Sequence, residues 1–327
     1  MTLSSFVPRR GLRNGHMMTL YAWAKARSFP QLPPPSSRHF DVEDGTQVLA
    51  HCHWQQDRDA HPLLLALHGL EGSSSAHYMR GLANKAYARG FNVVLLNQRN
   101  CGGTEPLSTS LYHSGLTADA DFVLRELVDT DGIHDVVVAG YSLGGNLALK
   151  LAGDYGDAPP AELRGVCAVS PVLDLAACVD ALERRQNIVY QWNFVRGLRA
   201  RMRRKSRTHP DRFTVDGLRA IRTVRQFDEA YTAPHFGFEG ASDYYHRASA
   251  LRVVDRIRVP ALVLTAADDP FVPLAPFADP AITSNPNIEL IVTRHGGHCG
   301  FVTVETADGD GYWAEQQIVQ FAQRVTG

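Results

Sequence analysis

Six short apolar runs recur along the chain, most of them followed by a stretch with helical or turn character. They are "PLLLALHG" (62–69), "FNVVLLNQR" (91–99), "VVVAG" (136–140), "LRGVCAVSP" (163–171), "ALVLTAADD" (261–269) and "IELIVTRHGGH" (288–298). Runs without polar alternation read as strands covered on both faces. "SAHYMRGLANKAYARG" (75–90) reads as a helix stopped by Gly90. "LTADADFVLRELVDTDG" (116–132) reads as an amphipathic helix with Thr117 as its cap and Asp119 and Asp121 in its first turn. A closing helix is expected over "YWAEQQIVQFAQRV" (312–325). Alternating strands and helices predict an α/β fold: a mostly parallel sheet with helices on both faces, built as a single domain over 1–327.

Two stretches depart from that rhythm. Residues 1–36 read as an irregular leader closed by "LPPPSS", followed by a hairpin in "RHFDVEDGTQVLAHCHW" that turns at Asp44-Gly45. Residues 172–250 are helical and loop-rich, with Tyr190, Trp192, Phe194, Phe213, Phe227 and Tyr231 spread through them. Lying between two sheet strands, they are expected to form an inserted helical cap. Sites on open α/β sheets form at the carboxyl ends of the strands, so such an insertion would roof the site.

Composition removes several classes of function. A net charge of −1 over 327 residues gives no general attraction to nucleic acid. No stretch reaches the eighteen or so apolar residues of a membrane span, and the N-terminus is a poor signal peptide. The five cysteines are scattered, with no C-x-x-C pair, which fits free thiols in a reducing cytoplasm better than a disulfide framework. "HCHW" (51–54) alternates two histidines with a cysteine on a strand and supplies no third ligand, so no metal is expected, and no cofactor. From 184 to 212 ten basic residues stand against one acid, Asp211. The simpler reading is a solvated cap helix balanced by acids elsewhere; the alternative is peripheral contact with an anionic lipid surface or acidic partner. The sequence does not define an oligomeric state.

The chemistry is concentrated in "GYSLGGN" (140–146). Gly140, Ser142 and Gly144 form G-x-S-x-G where an apolar strand gives way to a helix, the setting of a nucleophile elbow. A base and an orienting acid should follow in the order serine, acid, histidine. "ALVLTAADDPF" offers Asp268 and Asp269 at the end of one strand, and "RHGGHCGF" offers His295 and His298 after the last. Asp269 is preferred because D-x-x-V-P leads the chain away from the strand, leaving Asp268 to shape the turn. His298 is preferred because small neighbours leave its ring free to reach Ser142, with His295 a polar strand-end residue. An oxyanion hole would use the backbone N–H groups of Leu143 and, from the loop "HGLEGSS", Leu70. His68 reads as a structural hydrogen-bonder.

"LRNGHMMT", "HGLEGSS", "NQRNCGGTE", "LYHSG", "GYSLGGN", "DDPF" and "GGHCGF" together resemble the YheT-like branch of the α/β-hydrolases, over about residues 11–301. The resemblance implies an ester hydrolase with a relay on Ser142, Asp269 and His298, acting on small-molecule esters of short to medium acyl chain. "RNGH" and "YHSG" are read as packing and capping around the elbow. An acyltransferase or thioesterase would share the acyl-serine intermediate. A non-catalytic ligand-binding protein on the same scaffold is the reading of a different class, and the complete triad weighs against it.

Overall fold

The computed structural model describes residues 6–305 and 309–327. Eight strands form one sheet: β1 (Ser36–Glu43), β2 (Thr46–His53), β3 (Leu63–Leu67), β4 (Asn92–Leu96), β5 (Val136–Tyr141), β6 (Leu163–Val169), β7 (Ala261–Ala266) and β8 (Ile288–Thr293). Their spatial order is β1-β2-β4-β3-β5-β6-β7-β8. β1 and β2 pair antiparallel around the Asp44-Gly45 turn, and β2 pairs antiparallel with β4. From β4 onward every pairing is parallel, with Leu65 of β3 opposite Val94 on one side and Val138 on the other.

Successive strand residues point to opposite faces, and both faces of β3 to β5 are apolar. Leu63, Leu65, Leu67, Val136 and Val138 pack toward α3 (Ala118–Asp131) and α4 (Leu143–Tyr155), meeting Val123, Leu124, Leu127 and Leu147. Leu64, Ala66, Val137 and Ala139 pack toward α2 (His77–Tyr87) and the C-terminal helix Trp313–Thr326, meeting Met79, Leu82, Ile318 and Phe321. Each fully buried Leu or Val contributes roughly 1.5–3 kcal/mol, so this double coverage fixes strand register strongly.

Two expectations need correction. The first 36 residues are not irregular throughout: Gly15–Ala24 form a helix, α1, capped by Asn14, whose side chain accepts from the Met17 N–H at 3.1 Å. The reading missed it because its apolar residues surround the helix rather than lining one face, leaving no 3.6-residue stripe. Thr117 precedes α3 but does not cap it with its side chain. Its backbone is already helical, and its hydroxyl donates instead to Asp154 of α4 at 3.0 Å.

Between β6 and β7, residues 172–250 carry α5 (Leu175–Leu182), the long α6 (Ile188–Thr208) and the helix Ala241–Ala248. α6 buries Val195, Leu198 and Met202 in the apolar cluster that also holds β3 and β5. Much of its positive charge is absorbed internally. Arg201 forms an ion pair with Glu71 and stacks 4.5 Å from the Tyr112 ring, and Arg204 pairs with Glu105 at 2.6 Å. Lys205 donates to the carbonyls of Glu105 and Ser108. The acids that balance the basic segment thus come from the loops after β3 and β4.

Candidate active site

β5 ends at Tyr141 and α4 begins at Leu143, so the reversal is made by Ser142 alone, at φ +55° and ψ −114°. Such a conformation is strained for a non-glycine residue. The flanking glycines are required by contact. A Cβ on Gly140 would stand 1.9 Å from the Gly144 carbonyl oxygen, and one on Gly144 would stand 2.3 Å from the Leu67 oxygen. Among the described residues six non-glycines have positive φ: Glu71, Asn100, Ser142, Ser170, Cys299 and Phe301. All six lie in segments leaving the carboxyl ends of β3, β4, β5, β6 and β8. Backbone strain is gathered at one edge of the sheet, where function commonly holds it.

Three side chains converge there. The Ser142 Oγ lies 2.9 Å from His298 Nε2, and His298 Nδ1 lies 2.9 Å from Asp269 Oδ2. With an ionised acid, Nδ1–H donates to Asp269 and Nε2 accepts from the serine hydroxyl. Asp269 Oδ1 accepts from the N–H groups of Phe271 and Val272 at 3.1 and 2.9 Å, which holds the carboxylate in orientation. The acid is fully buried and His298 nearly so. Burial disfavours the imidazolium, but the Cys299 sulfur and the Asp269 carboxylate more than offset it, and the His298 pKa is pushed up.

The other candidates take different positions. Asp268 Oδ1 accepts from the Gly297 N–H at 2.9 Å, and its Oδ2 faces His295 Nδ1 at 3.3 Å, away from the three converging side chains. His68 is fully buried; its Nδ1 lies 2.8 Å from the Gly69 carbonyl and its Nε2 accepts from the Gln98 N–H at 3.1 Å. Those partners fix the neutral tautomer, and burial pushes its pKa down to about 4. Gly69 brings the β3 loop against the serine, since a Cβ there would stand 3.2 Å from the Ser142 Cβ. Among the described residues neither the Leu70 nor the Leu143 amide donates a hydrogen bond. Leu143 opens α4, whose N-terminal end carries positive partial charge at the same place.

Sequence reasoning read "RNGH" and "YHSG" as packing and capping but did not name the individual groups that hold this constellation. The His298 N–H donates to Thr19 Oγ1 at 2.8 Å, and the Cys299 N–H donates to Ser170 Oγ at 3.2 Å. Gly15 meets the acid turn so closely that a Cβ would lie 1.8 Å from the Asp268 carbonyl oxygen. "RNGHMMT" is therefore a buttress for the acid and histidine loops. Asn146, the last residue of "GYSLGGN", donates to the carbonyls of Ser114 and Ala248 and accepts from the Ala250 N–H at 2.8 Å. It ties "LYHSG" to α4. Tyr112 of the same motif accepts from the Glu71 N–H at 3.2 Å, next to Leu70. The available signal was the motifs themselves, which carry polar residues at unexplained positions. A recess of about 350 Å³ lined by Pro33, His51, Ser74 and Arg80 holds none of the three converging side chains.

Residues 62–303 match the α/β-hydrolase fold family, and the chain belongs to it. Within that family it is YheT-like. It is 33% identical over 302 residues to YheT of Escherichia coli (strain K12), a protein classed by name among the esterases, covering 91% of this chain and 87% of that one. It is also 28% identical to phospholipase ABHD3 of Mus musculus over 80% of this chain and 61% of that one. The esterase Pf2001 of Pyrococcus furiosus shares the fold, with a TM-score of 0.61 at 16% identity, over 93% of this chain and 97% of that one. The family and its YheT-like relative support a hydrolase of the esterase kind.

Proposed function

We propose that the protein is a serine hydrolase that cleaves carboxylic esters through an acyl-Ser142 intermediate. One observation carries this reading: the Ser142 Oγ, on a strained turn, stands 2.9 Å from a histidine whose other nitrogen stands 2.9 Å from a buried acid. In this mechanism His298 Nε2 takes the serine proton as Oγ attacks the ester carbonyl. Asp269 stabilises the resulting imidazolium without itself becoming protonated. The carbonyl oxygen, now negative, is received by the Leu70 and Leu143 amides, whose contribution is largest once water is excluded. His298 then returns the proton to the departing alcohol. A water then attacks the acyl carbon as it gives a proton to His298, and His298 returns that proton to Ser142 Oγ as the acid leaves.

Esters of short to medium acyl chain are the proposed substrates, in keeping with the YheT-like resemblance, and no cofactor or metal is needed for these steps. A cytoplasmic setting is supported by five unpaired cysteines, four of them buried. The test is labelling by a fluorophosphonate and turnover of p-nitrophenyl esters of increasing chain length, with acyl-CoA substrates in parallel. Ser142→Ala is expected to abolish both labelling and ester cleavage with the melting temperature unchanged. Labelling that persists in that variant would place the nucleophile elsewhere. Faster turnover of acyl-CoA than of any ester would identify a thioesterase instead.

A further inference from the structure

Of the nine large apolar side chains exposed among the described residues, six stand on α1 and the start of α6. They are Met17, Leu20, Trp23, Ile188, Val189 and Trp192, with the two tryptophans 71% and 61% exposed. The two helices are far apart in sequence but meet where the His16 ring stacks on Tyr190, with centroids 5.7 Å apart. α1 buries Met18 and Ala22 beneath this surface, so its outer apolar face has no partner within the described residues. Two solvent-facing tryptophans on adjoining helices cost free energy in water unless something covers them.

Charge says what covers them. Neither α1 nor α6 contains an aspartate or glutamate. Along α6 the exposed stripe that starts with Ile188 and Trp192 continues through Arg196, Arg203 and Arg207, at steps of four, seven and four residues. Arg196 stacks over Trp192 at 4.9 Å and donates to Asn193 Oδ1, on an uncharged side chain, at 3.4 Å. Arg10 and Arg13, just before α1, are exposed as well. A second copy docked across a two-fold axis would set these cationic stripes against each other. Tryptophan beside arginine, with no acid on either helix, instead matches the boundary between acyl chains and anionic headgroups.

We propose that the α1–α6 face docks the protein onto an anionic phospholipid bilayer. The docking face also lies near the site. Tyr190 packs on Phe271 at 5.2 Å, and Phe271 packs on the His298 ring at 4.1 Å. Docking there presents the site to esters held at a lipid surface; that consequence rests on the serine-hydrolase reading, whereas the docking itself does not.

The experiment uses the full chain carrying Ser142→Ala, so that vesicles stay intact whatever the activity. Sedimentation is expected with vesicles of mixed phosphatidylglycerol and phosphatidylcholine, weaker binding with phosphatidylcholine alone, and release by high salt. Arg196→Gln with Arg203→Gln is expected to weaken binding to the anionic vesicles by roughly fivefold per arginine. Trp23→Ser with Trp192→Ser should weaken binding to either vesicle. In the Ser142 background the same exposed substitutions should leave the melting temperature and turnover of a water-soluble acetate ester unchanged. No sedimentation with anionic vesicles, or sedimentation that none of these substitutions weakens, overturns the proposal. So does a dimer in analytical ultracentrifugation that Trp192→Ser dissociates. If Ser142→Ala docks while the parent protein cleaves no ester, the docking stands and the hydrolase reading falls.

Discussion

The main-chain N–H of His298 donates to the Thr19 hydroxyl at 2.8 Å, across 279 residues of sequence. The same hydroxyl donates to the Gly15 carbonyl one helical turn back at 2.7 Å, so its acceptor side is aimed at the histidine loop. α1 therefore holds the loop that carries the candidate base. Thr19→Val keeps the shape and removes the acceptor, leaving an amide without a partner at a cost of about 1–3 kcal/mol. Ester-cleavage kcat is expected to fall about tenfold with KM nearly constant, and Thr19→Ser to restore it. Steady-state kinetics on the three proteins, with melting curves, checks this; an unchanged kcat in Thr19→Val would make α1 mere packing.

Asp268 and Asp269 are neighbours with separate partners, and amide substitution separates their roles. In a serine protease the equivalent change at the orienting acid costs about four powers of ten in kcat. Asp269→Asn should approach that loss. Asp268→Asn should cost about tenfold, since that carboxylate holds the turn through the Gly297 N–H. The pH profile adds a sign. His298 works as a base only when neutral, and its pKa is pushed up, so kcat/KM should rise with pH on the alkaline side of the usual histidine range. Removing the Asp269 charge lowers that pKa, so the rising limb of Asp269→Asn should shift to lower pH. A limb that stays in place would show that another group titrates.

Glu71 and Arg201 form a buried ion pair between the β3 loop and α6, one residue from the Leu70 amide. Breaking such a pair from one side is costly because the other charge stays buried. Arg201→Leu alone should lose about 3–5 kcal/mol in urea unfolding, and Glu71→Leu with Arg201→Leu should recover most of it. Additive losses in the double variant would show that the two charges do not stabilise one another.

His68 gives an acid-sensitive term. Its folded pKa of about 4 lies below the ordinary value of about 6.5, so the unfolded chain binds the proton first. This contribution is intact above the ordinary value and fades as pH falls toward 4, by about 3 kcal/mol. Gln at this position keeps a donor and an acceptor without titrating. His68→Gln should lose less stability than the parent between pH 7 and pH 4, read by urea unfolding at each pH. Parallel curves for the two proteins would rule out His68 as the source.

Most of the sheet and the converging side chains were legible because each depends on local pattern. Val136 to Val138 read as a doubly covered strand whichever neighbours cover it. Ser142 and Asp269 each follow such a strand and His298 follows the parallel edge strand β8, so their common edge followed from the parallel sheet alone. α1 was not legible, because Met17, Leu20 and Trp23 alternate with buried Met18 and Ala22 and erase the amphipathic stripe. Thr117 looked like a cap because composition cannot reveal that its backbone is already helical and its hydroxyl reaches Asp154.

By itself the sequence determined the strand faces, the strand-to-helix turn at Ser142 and the order of the candidate serine, acid and histidine, since these follow from hydrophobic period and turn chemistry acting over a few residues. Only the tertiary structure decided that Thr19 and Gly15 brace the acid and histidine loops, and that Glu71 finds Arg201. It also decided that α1 and α6 share one apolar face. Those contacts join residues far apart in the chain, and their energy exists only after the sheet has closed the distance. A single sequence holds both partners but nothing local to pair them.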